Sequence, residues 1–399
     1  MAFNLTTETY YIKSRLTMAH QQWARTAIGS YRQPHASFLQ CQRLQARYAS
    51  SFVDLRSEMM SRQFPLVYDY LTLVNSHLLR VTLADFLPPR LRPVPSKLPY
   101  SMSLSPGRHL VHFPPPTPLS SLLLDGTDPE QSPGDPYVRR MWAGGKLQVG
   151  NSLGYKLVGS CAVCLERIID VSVKGTPGDE KVFVTIERRI ASQGPRQRAT
   201  NTGSKDASVP AHELRERLLR DQGCLVIEDR NLVFLQAKSG MVSADATEIP
   251  AKILKPPHEP AFSHTLVPSA ALLFRFSALT FNAHRIHLDR RYCLESEGHR
   301  NLLVHGPLSL VLMLEVLKHY LRQEASEKMI VEIEYRNLAP LYADEAMKIC
   351  IRPNGDDRLD VWVEGRDGGY AVKGVARTAD FPQSERHELR KGPGGATAQ

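Results

Sequence analysis

No apolar run in this chain reaches the length of a membrane span; the longest candidate, Leu308 to Leu317, is broken by Glu315. A membrane-spanning helix is therefore not expected. Cysteine is sparse: six, at 41, 161, 164, 224, 293 and 350, are too scattered for the disulfide framework of a small secreted domain. That usage suits a reducing compartment. Cys161-Ala-Val-Cys164 has no second pair to complete a ligand set, so neither zinc nor redox use is expected of it. The chain also lacks a Gly-rich phosphate loop and a dinucleotide fingerprint, so no cofactor is expected. Acid is missing from one place in particular: residues 1–48 hold six basic side chains (Lys13, Arg15, Arg25, Arg32, Arg43, Arg47) and a single acid, Glu8. That segment carries +5 of the net +9, leaving +4 for the body. An Arg-bearing, acid-poor arm has the composition of a mitochondrial targeting segment. The basic charge then reads as an address, and nucleic acid is not an expected partner.

What remains is a chain of 399 residues with 42% hydrophobic and 23% charged side chains, enough for more than one packed core. In the first half, Asp54 to Arg62 reads as a short polar helix, Pro88 to Pro99 as an irregular connector, and His109 to Phe113 as a short strand. Residues 125–136 read as a loop. Glu166 to Val173 and Lys181 to Arg188 read as strand, turn, strand around Gly175 and Gly178, with a further strand at Cys224 to Gln236. In the second half, Ala271 to Phe276 reads as a strand-like lead-in, and Pro307 opens a helix to about Leu321 that is apolar almost all round and so buried. Strands follow at Ile330 to Tyr335, Lys348 to Arg352, Asp360 to Glu364 and Tyr370 to Arg377, with Asp367-Gly368-Gly369 as a hairpin turn. A buried helix before an antiparallel sheet is an α+β layer arrangement. Tyr137 to Val149 sits where the helix of an earlier, degenerate copy would lie. The expected organisation is a targeting arm at 1–48, a degenerate unit at 54–242, a catalytic unit at 261–380 and a disordered tail at 381–399.

The stretch from Phe276 to Leu308 concentrates the chemistry. Asn282, His284 and His287 form an Asn-x-His-x-x-His element; His287 can move a proton near neutral pH, because imidazole has an unperturbed pKa of about 6.5. A polar loop whose histidines cap backbone groups is the plainer alternative. His305-Gly306-Pro307 then opens the apolar helix. Pro307 fits the first turn, and Gly306 lets a ligand approach backbone N–H groups at the positive end of the helix dipole. His284 and His287 also have a metal-like spacing with Asp289 near, but no Glu stands as a general base, so no metal is expected.

These segments, together with YVRRMWAGGKL (Tyr137 to Leu147), Glu166 to Arg189, IEYRNLAPLYADE (Ile333 to Glu345) and GGYAVKG (Gly368 to Gly374), resemble the hot-dog-fold hydratase/dehydratases. Within them the resemblance is to the fungal mitochondrial hydroxyacyl-thioester dehydratases of type 2, which are similar to mesaconyl-CoA hydratases. The resemblance implies a double hot-dog and reversible loss of water from a (3R)-3-hydroxyacyl thioester, giving a trans-2-enoyl thioester in mitochondrial type II fatty acid synthesis in the matrix. It implies His287 for proton transfer, Asn282 for orienting the hydroxyl, and the Gly306 N–H for the thioester oxygen. His284, Asp289, His305 and Arg285 are expected around the substrate. Arg285, Arg290, Arg291 and Arg300 would face a phosphopantetheine or an acyl carrier protein, or else be solvated surface charges. The pattern Asp-x-Asn-Pro-x-His of the wider group places Asn282 where its Asp stands, and Asn cannot act as a carboxylate base. Thioester hydrolysis and non-catalytic acyl-carrier binding stay open as alternatives, as do the carrier (CoA or acyl carrier protein) and pairing as a homodimer.

Overall fold

The computed structural model describes residues 52–94, 98, 104–150, 160–192, 209–221, 223–237, 253–324 and 327–381. The expected arm at 1–48 lies outside the described residues, as does the tail beyond Phe381. The account below concerns the compact unit Leu55–Gln399.

The strands are β1 (Val67–Leu71), β2 (Arg139–Val149), β3 (Ser160–Lys174), β4 (Lys181–Ser192), β5 (Cys224–Leu235), β6 (Phe262–Leu266), β7 (Lys328–Asn337), β8 (Met347–Pro353), β9 (Arg358–Glu364) and β10 (Tyr370–Asp380). They form one ten-stranded antiparallel sheet in the order β1-β3-β4-β5-β2-β7-β10-β9-β8-β6. Each half runs first, third, fourth, fifth, second, counted from its outer edge. The two halves are therefore copies of one topology, joined at β2 and β7. Alternation drives the pairing: along β4, Val182, Val184 and Ile186 are buried, each two residues from the last, on one face of the pleat.

The join is held by close backbone approach. Gly144 pairs with Arg336, and Leu147 with Ile333. A Cβ on Gly144, whose φ is +139°, would lie 2.2 Å from the carbonyl oxygen of Tyr335. Trp142 Nε1 donates to the Tyr335 hydroxyl at 2.9 Å, and Asn337 Nδ2 donates to the Trp142 carbonyl at 2.8 Å. Lys146 meets Glu332 at 3.0 Å on the outer face.

Besides a helical stretch over 52–61 and a single helical turn at Arg290–Tyr292, the helices among the described residues are α1 (Leu73–Leu83), α2 (Ala211–Leu219), α3 (Ala270–Thr280) and α4 (Gly306–Gln323). The sheet wraps α4, which touches β2, β7, β8 and β9. Leu308, Leu312, Met313, Leu314, Val316 and Leu317 are fully enclosed, as the all-round apolar sequence requires.

Three expectations are corrected. Tyr137 to Val149 does not replace a helix; it holds the long strand β2, and among the described residues the first half has no counterpart of α4. Between α1 and β2 the described residues of the proline-rich chain make 3-10 turns and no longer helix, since proline removes the N–H that a longer helix needs. Of the expected strand His109 to Phe113, the first three residues lie in one of these turns (Arg108–Val111) and His112 and Phe113 follow it, none of them in a strand. Ala271 to Phe276 lies in α3. Ser269 caps it by accepting from Leu272 N at 3.2 Å, and the buried Leu272, Leu273, Phe276 and Ser277 share a helical face. A short apolar run fits either a buried strand or a helix, and the cap decides it here.

The join makes a test. Gly144→Val places a Cβ into backbone at a positive φ and should cost about 3 kcal/mol or more, read as a lowered thermal midpoint. Gly178→Ala, at a turn where φ is +92° but a Cβ meets nothing within 4 Å, should suffer the backbone strain alone and cost about 1–2 kcal/mol, less than Gly144→Val.

Candidate active site

The segment after α3 is folded by its own polar groups. Phe281 ends the helix in the left-handed region (φ +54°), and Asn282 N donates to Ser277 O at 2.9 Å. Asn282 Oδ1 then accepts from His284 N at 3.0 Å, an Asx turn that aims the chain into the 3-10 turn Arg285–His287. Asp289 accepts from Tyr292 N at 3.0 Å and from Arg285 at 2.7 Å, while the Arg285 guanidinium lies 4.3 Å over the Tyr292 ring. Arg285 and Asp289 thus fasten the turn on its outer side, and neither lines the cavity described below. Arg291 and Arg300 are likewise engaged, with Glu295 (2.8 Å) and Glu345 (2.6 Å).

His287 is buried, and its Nδ1 lies 2.8 Å from the carbonyl oxygen of Leu303. A carbonyl only accepts, so Nδ1 carries the proton and Nε2 of the neutral ring keeps its lone pair. Burial, reinforced by the charge of Arg140 and opposed by the Leu303 hydrogen bond, pushes the pKa of His287 down to about 4. His305 stacks on His287 with ring centroids 3.6 Å apart and planes at 22°. Its Nε2 is 2.8 Å from Ser277 Oγ, and the Phe276 ring meets it edge-on at 5.1 Å. His305 is a wholly enclosed backing plate for His287 and does not itself line the cavity. His284 presents its ring edge-on to His287 at 5.5 Å. Burial first, and then the neighbouring histidines, hold His305 well below its ordinary pKa; burial, His287 and Arg140 do the same to His284. All three rings are therefore neutral at pH 7.

A carboxylate reaches this cluster from the other half of the molecule. The loop before β2 folds on itself through Gly126 N to Leu123 O (2.8 Å) and Leu123 N to Thr127 O (2.8 Å). Asp125 Oδ1 accepts from both Thr127 N (2.9 Å) and Thr127 Oγ1 (2.7 Å). The folded loop docks on the histidine segment, with Arg285 N donating to Asp125 O at 2.8 Å. Gly126 is obligatory there: its φ is +85°, and a Cβ would lie 2.1 Å from Ala283 O. Docking brings the buried Asp125 Oδ2 to 3.5 Å from His284 Nε2.

These elements border a cavity of about 370 Å³. His284, His287, Asn282 and Gly306 line one end. The Gly306 N–H, at the start of α4, makes no hydrogen bond to any described residue. Gly306 also needs to be glycine for packing, since a Cβ would lie 2.9 Å from the Trp142 ring and 2.7 Å from Asn337 Nδ2. The first half contributes Asp128, Arg140, Glu166, Arg188 and Arg230 to the lining. Behind them sits the buried Glu228, 2.9 Å from Arg230 and 3.4 Å from His109. Burial opposes ionisation of Glu228, but Arg230, His109 and Arg188 outweigh it and hold the carboxyl well below the usual range. Phe276, Phe281, Ile286, Leu303 and Val304 make the apolar lining.

The structure thus brings together His287, His284, Asn282 and Gly306, and sets His305, Arg285 and Asp289 behind or outside. Sequence reading missed Asp125, Asp128 and Arg140. The only signal was local: Asp-Gly-Thr-Asp at 125–128 marks a side-chain-bonded turn.

The pH dependence follows from His287. Its folded pKa, about 4, is below the unfolded value of about 6.5, so the stability it contributes is complete above pH 6.5 and is lost as pH falls toward 4. Turnover that needs the free Nε2 should keep its acid limb in kcat/KM near pH 4 rather than 6.5, measurable from the rate profile over pH 3.5 to 8.

The model of the family described as hydroxyacyl-thioester dehydratase type 2 matches residues 107–343. The mesaconyl-C(4)-CoA hydratase of Chloroflexus aurantiacus is 33% identical over 272 residues, covering 67% of this chain and 81% of that protein. The mitochondrial hydroxyacyl-thioester dehydratase type 2 of Schizosaccharomyces pombe is 28% identical over 301 residues, covering 74% of this chain and 91% of that protein. Among solved structures, a MaoC-like dehydratase from Phytophthora capsici superposes with a TM-score of 0.53 at 11% identity, over 82% of this chain and 99% of that one, which is a likeness of fold. The sheet of two like halves around α4 is the double hot-dog, and the chain belongs to the hydroxyacyl-thioester dehydratase type 2 family.

Proposed function

We propose that the cavity removes water from a (3R)-3-hydroxyacyl thioester, reversibly, leaving a trans-2-enoyl thioester. The observation that carries this reading is the pairing of one free imidazole nitrogen, on His287, with one unbonded N–H, on Gly306, at the same end of an apolar cavity.

The thioester oxygen accepts from the Gly306 N–H at the positive end of α4, where negative charge develops as the α-carbon loses its proton. A donor so placed is worth about 10²- to 10³-fold in rate. His287 Nε2 takes the proton from C2. The C3–O bond breaks, the C2–C3 double bond forms, and the proton leaves with the hydroxyl as water. The low pKa of His287 makes its imidazolium a strong acid, which favours handing the proton on to the departing hydroxyl. Asn282 lines the same end, with its amide available to orient that hydroxyl. Asp125 answers the loss of the carboxylate at position 282: its Oδ2 stands 3.5 Å from His284 Nε2, without a hydrogen bond between them, and favours the tautomer that carries its proton on that nitrogen.

The substrate is borne on a pantetheine thiol of CoA or acyl carrier protein. The acid-poor segment 1–48 and the mitochondrial designation of the relatives from Schizosaccharomyces pombe and Saccharomyces cerevisiae support a mitochondrial location, in the matrix, and a part in fatty acid synthesis there.

Incubation with a 3-hydroxyacyl-CoA should raise enoyl-thioester absorbance without releasing free thiol. Thiol release in its place would make the protein a hydrolase. His287→Ala should lower kcat by about 10²- to 10⁴-fold, and near-normal dehydration by that variant would refute the assignment.

A further inference from the structure

Charge of one sign collects toward the C-terminal end of α4, away from the histidines. Glu315, Lys318 and Arg322 are spaced three and four residues apart and so share one face of that helix. With Arg80 of α1 and with Arg108, they border a second cavity, of about 100 Å³, whose remaining wall is mostly leucine. It shares no lining residue with the histidine cavity. Gly306 and Lys318 stand twelve residues apart, about 18 Å along the helix.

Arg108 is only 9% exposed. Its Nη1 donates to Ser76 O at 2.8 Å, and its buried Nε has no hydrogen-bond partner among the described residues. Glu315 Oε1 stays 3.8 Å from its Nη2, too far for a hydrogen bond, because Lys318 Nζ already holds that oxygen at 2.6 Å. Arg80 Nη2 donates to Pro93 O at 2.9 Å. Arg322 is exposed and forms no hydrogen bond or ion pair with any described residue. Four cations thus share one carboxylate. Burial and repulsion from Arg80 and Arg322 hold the pKa of Arg108 below its ordinary value, against the pull of Glu315. Burial, Arg108 and Arg322 do the same to Lys318. The chain that leads from α1 to Arg108 and beyond brings no relief: residues 86–124 include Arg90, Arg92, Lys97 and Arg108, and neither Asp nor Glu.

The unmet charge defines the ligand. A carboxylate would bring one charge and two oxygens to an excess of three positive charges. A phosphate group brings up to two charges and several acceptor oxygens, which suit guanidinium forks and an ammonium together. The cavity has the volume of roughly three waters, enough for one such group and too little for a nucleotide.

We propose that the cleft between α1 and the C-terminal half of α4 binds a phosphate group, free or as a monoester, through Arg108, Lys318, Arg322 and Arg80. The site goes beyond the dehydratase reading and does not depend on it.

Calorimetric titration of the full chain with inorganic phosphate, at an ionic strength held constant with sodium chloride, should show saturable binding. The thermal midpoint should rise with phosphate as mass action requires. Arg322→Gln changes an exposed side chain without a described partner, so the fold should tolerate it, and it should weaken binding at least about threefold. Arg108→Gln should weaken it at least about tenfold. Glu315→Gln removes the one carboxylate and should tighten binding, a gain that a purely structural ion-pair cluster would not produce. Glycerol 3-phosphate separates the two sources: tighter binding than inorganic phosphate assigns a monoester, and otherwise the free ion is the ligand. Phosphate that acts no differently from chloride, or binds equally to the wild type, Arg322→Gln and Glu315→Gln proteins, would overturn the site.

Discussion

The site depends on one backbone contact between the two halves of the molecule: the loop at Asp125 and Gly126 lying against Ala283 to Arg285. Arg285 N donates across it, and Gly126 leaves no room for a side chain. Without that seat the second half would hold histidines, an amide and a helix N-terminus but no carboxylate. With it, Asp125 reaches His284 from the first half, which among the described residues has no central helix equivalent to α4. Absence of a helix equivalent to α4 therefore does not make the first half a spacer. It furnishes one wall of the cavity, the aromatic ring that packs on Gly306, and the charge nearest the histidines.

The second constraint is burial. Enclosing His284, His287 and His305 together forces all three to stay neutral, because charging one would place a cation beside its neighbours in a poorly solvated space. Neutrality alone would leave the tautomers free. The Leu303 carbonyl fixes His287, the Asp125 carboxylate bears on His284, and stacking on His305 holds the plane of His287. The apolar surroundings that lower the pKa values also strengthen the Gly306 N–H proposed to bind the thioester oxygen. Both effects come from enclosing the histidines between α3 and the start of α4, with α4 packed under the curved sheet.

Much of this was legible in the sequence because it is local. An all-round apolar segment opening with Gly306-Pro307 could only be a buried helix, and Asp367-Gly368-Gly369 closes the β9–β10 hairpin as its turn chemistry dictates. The alternating segments became strands. What escaped was non-local or ambiguous. Asp125 lies far upstream of His284 and gains its meaning from tertiary docking alone. Arg285 and Asp289 looked like substrate ligands because they flank the histidines, yet their spacing of four lets them satisfy each other across one turn. His305 shares its neighbourhood with Gly306 but points to the opposite side of the helix start, toward Ser277 and Phe276. The α3 segment is apolar in both a two-residue and a helical reading, and Ser269, outside the apolar run, settles it.

The central claim is that the carboxylate of Asp125 works through His284. A double-mutant cycle in kcat tests it most directly. Asp125→Asn keeps the shape of the side chain and its acceptor for Thr127, so the loop stays seated while the charge is removed. The account predicts that Asp125→Asn and His284→Ala each slow dehydration, that the doubly substituted protein is no slower than His284→Ala alone, and that only Asp125→Asn alters the pH profile of an otherwise intact site. An Asp125→Asn protein with wild-type kcat, or losses that multiply in the double variant, would contradict it.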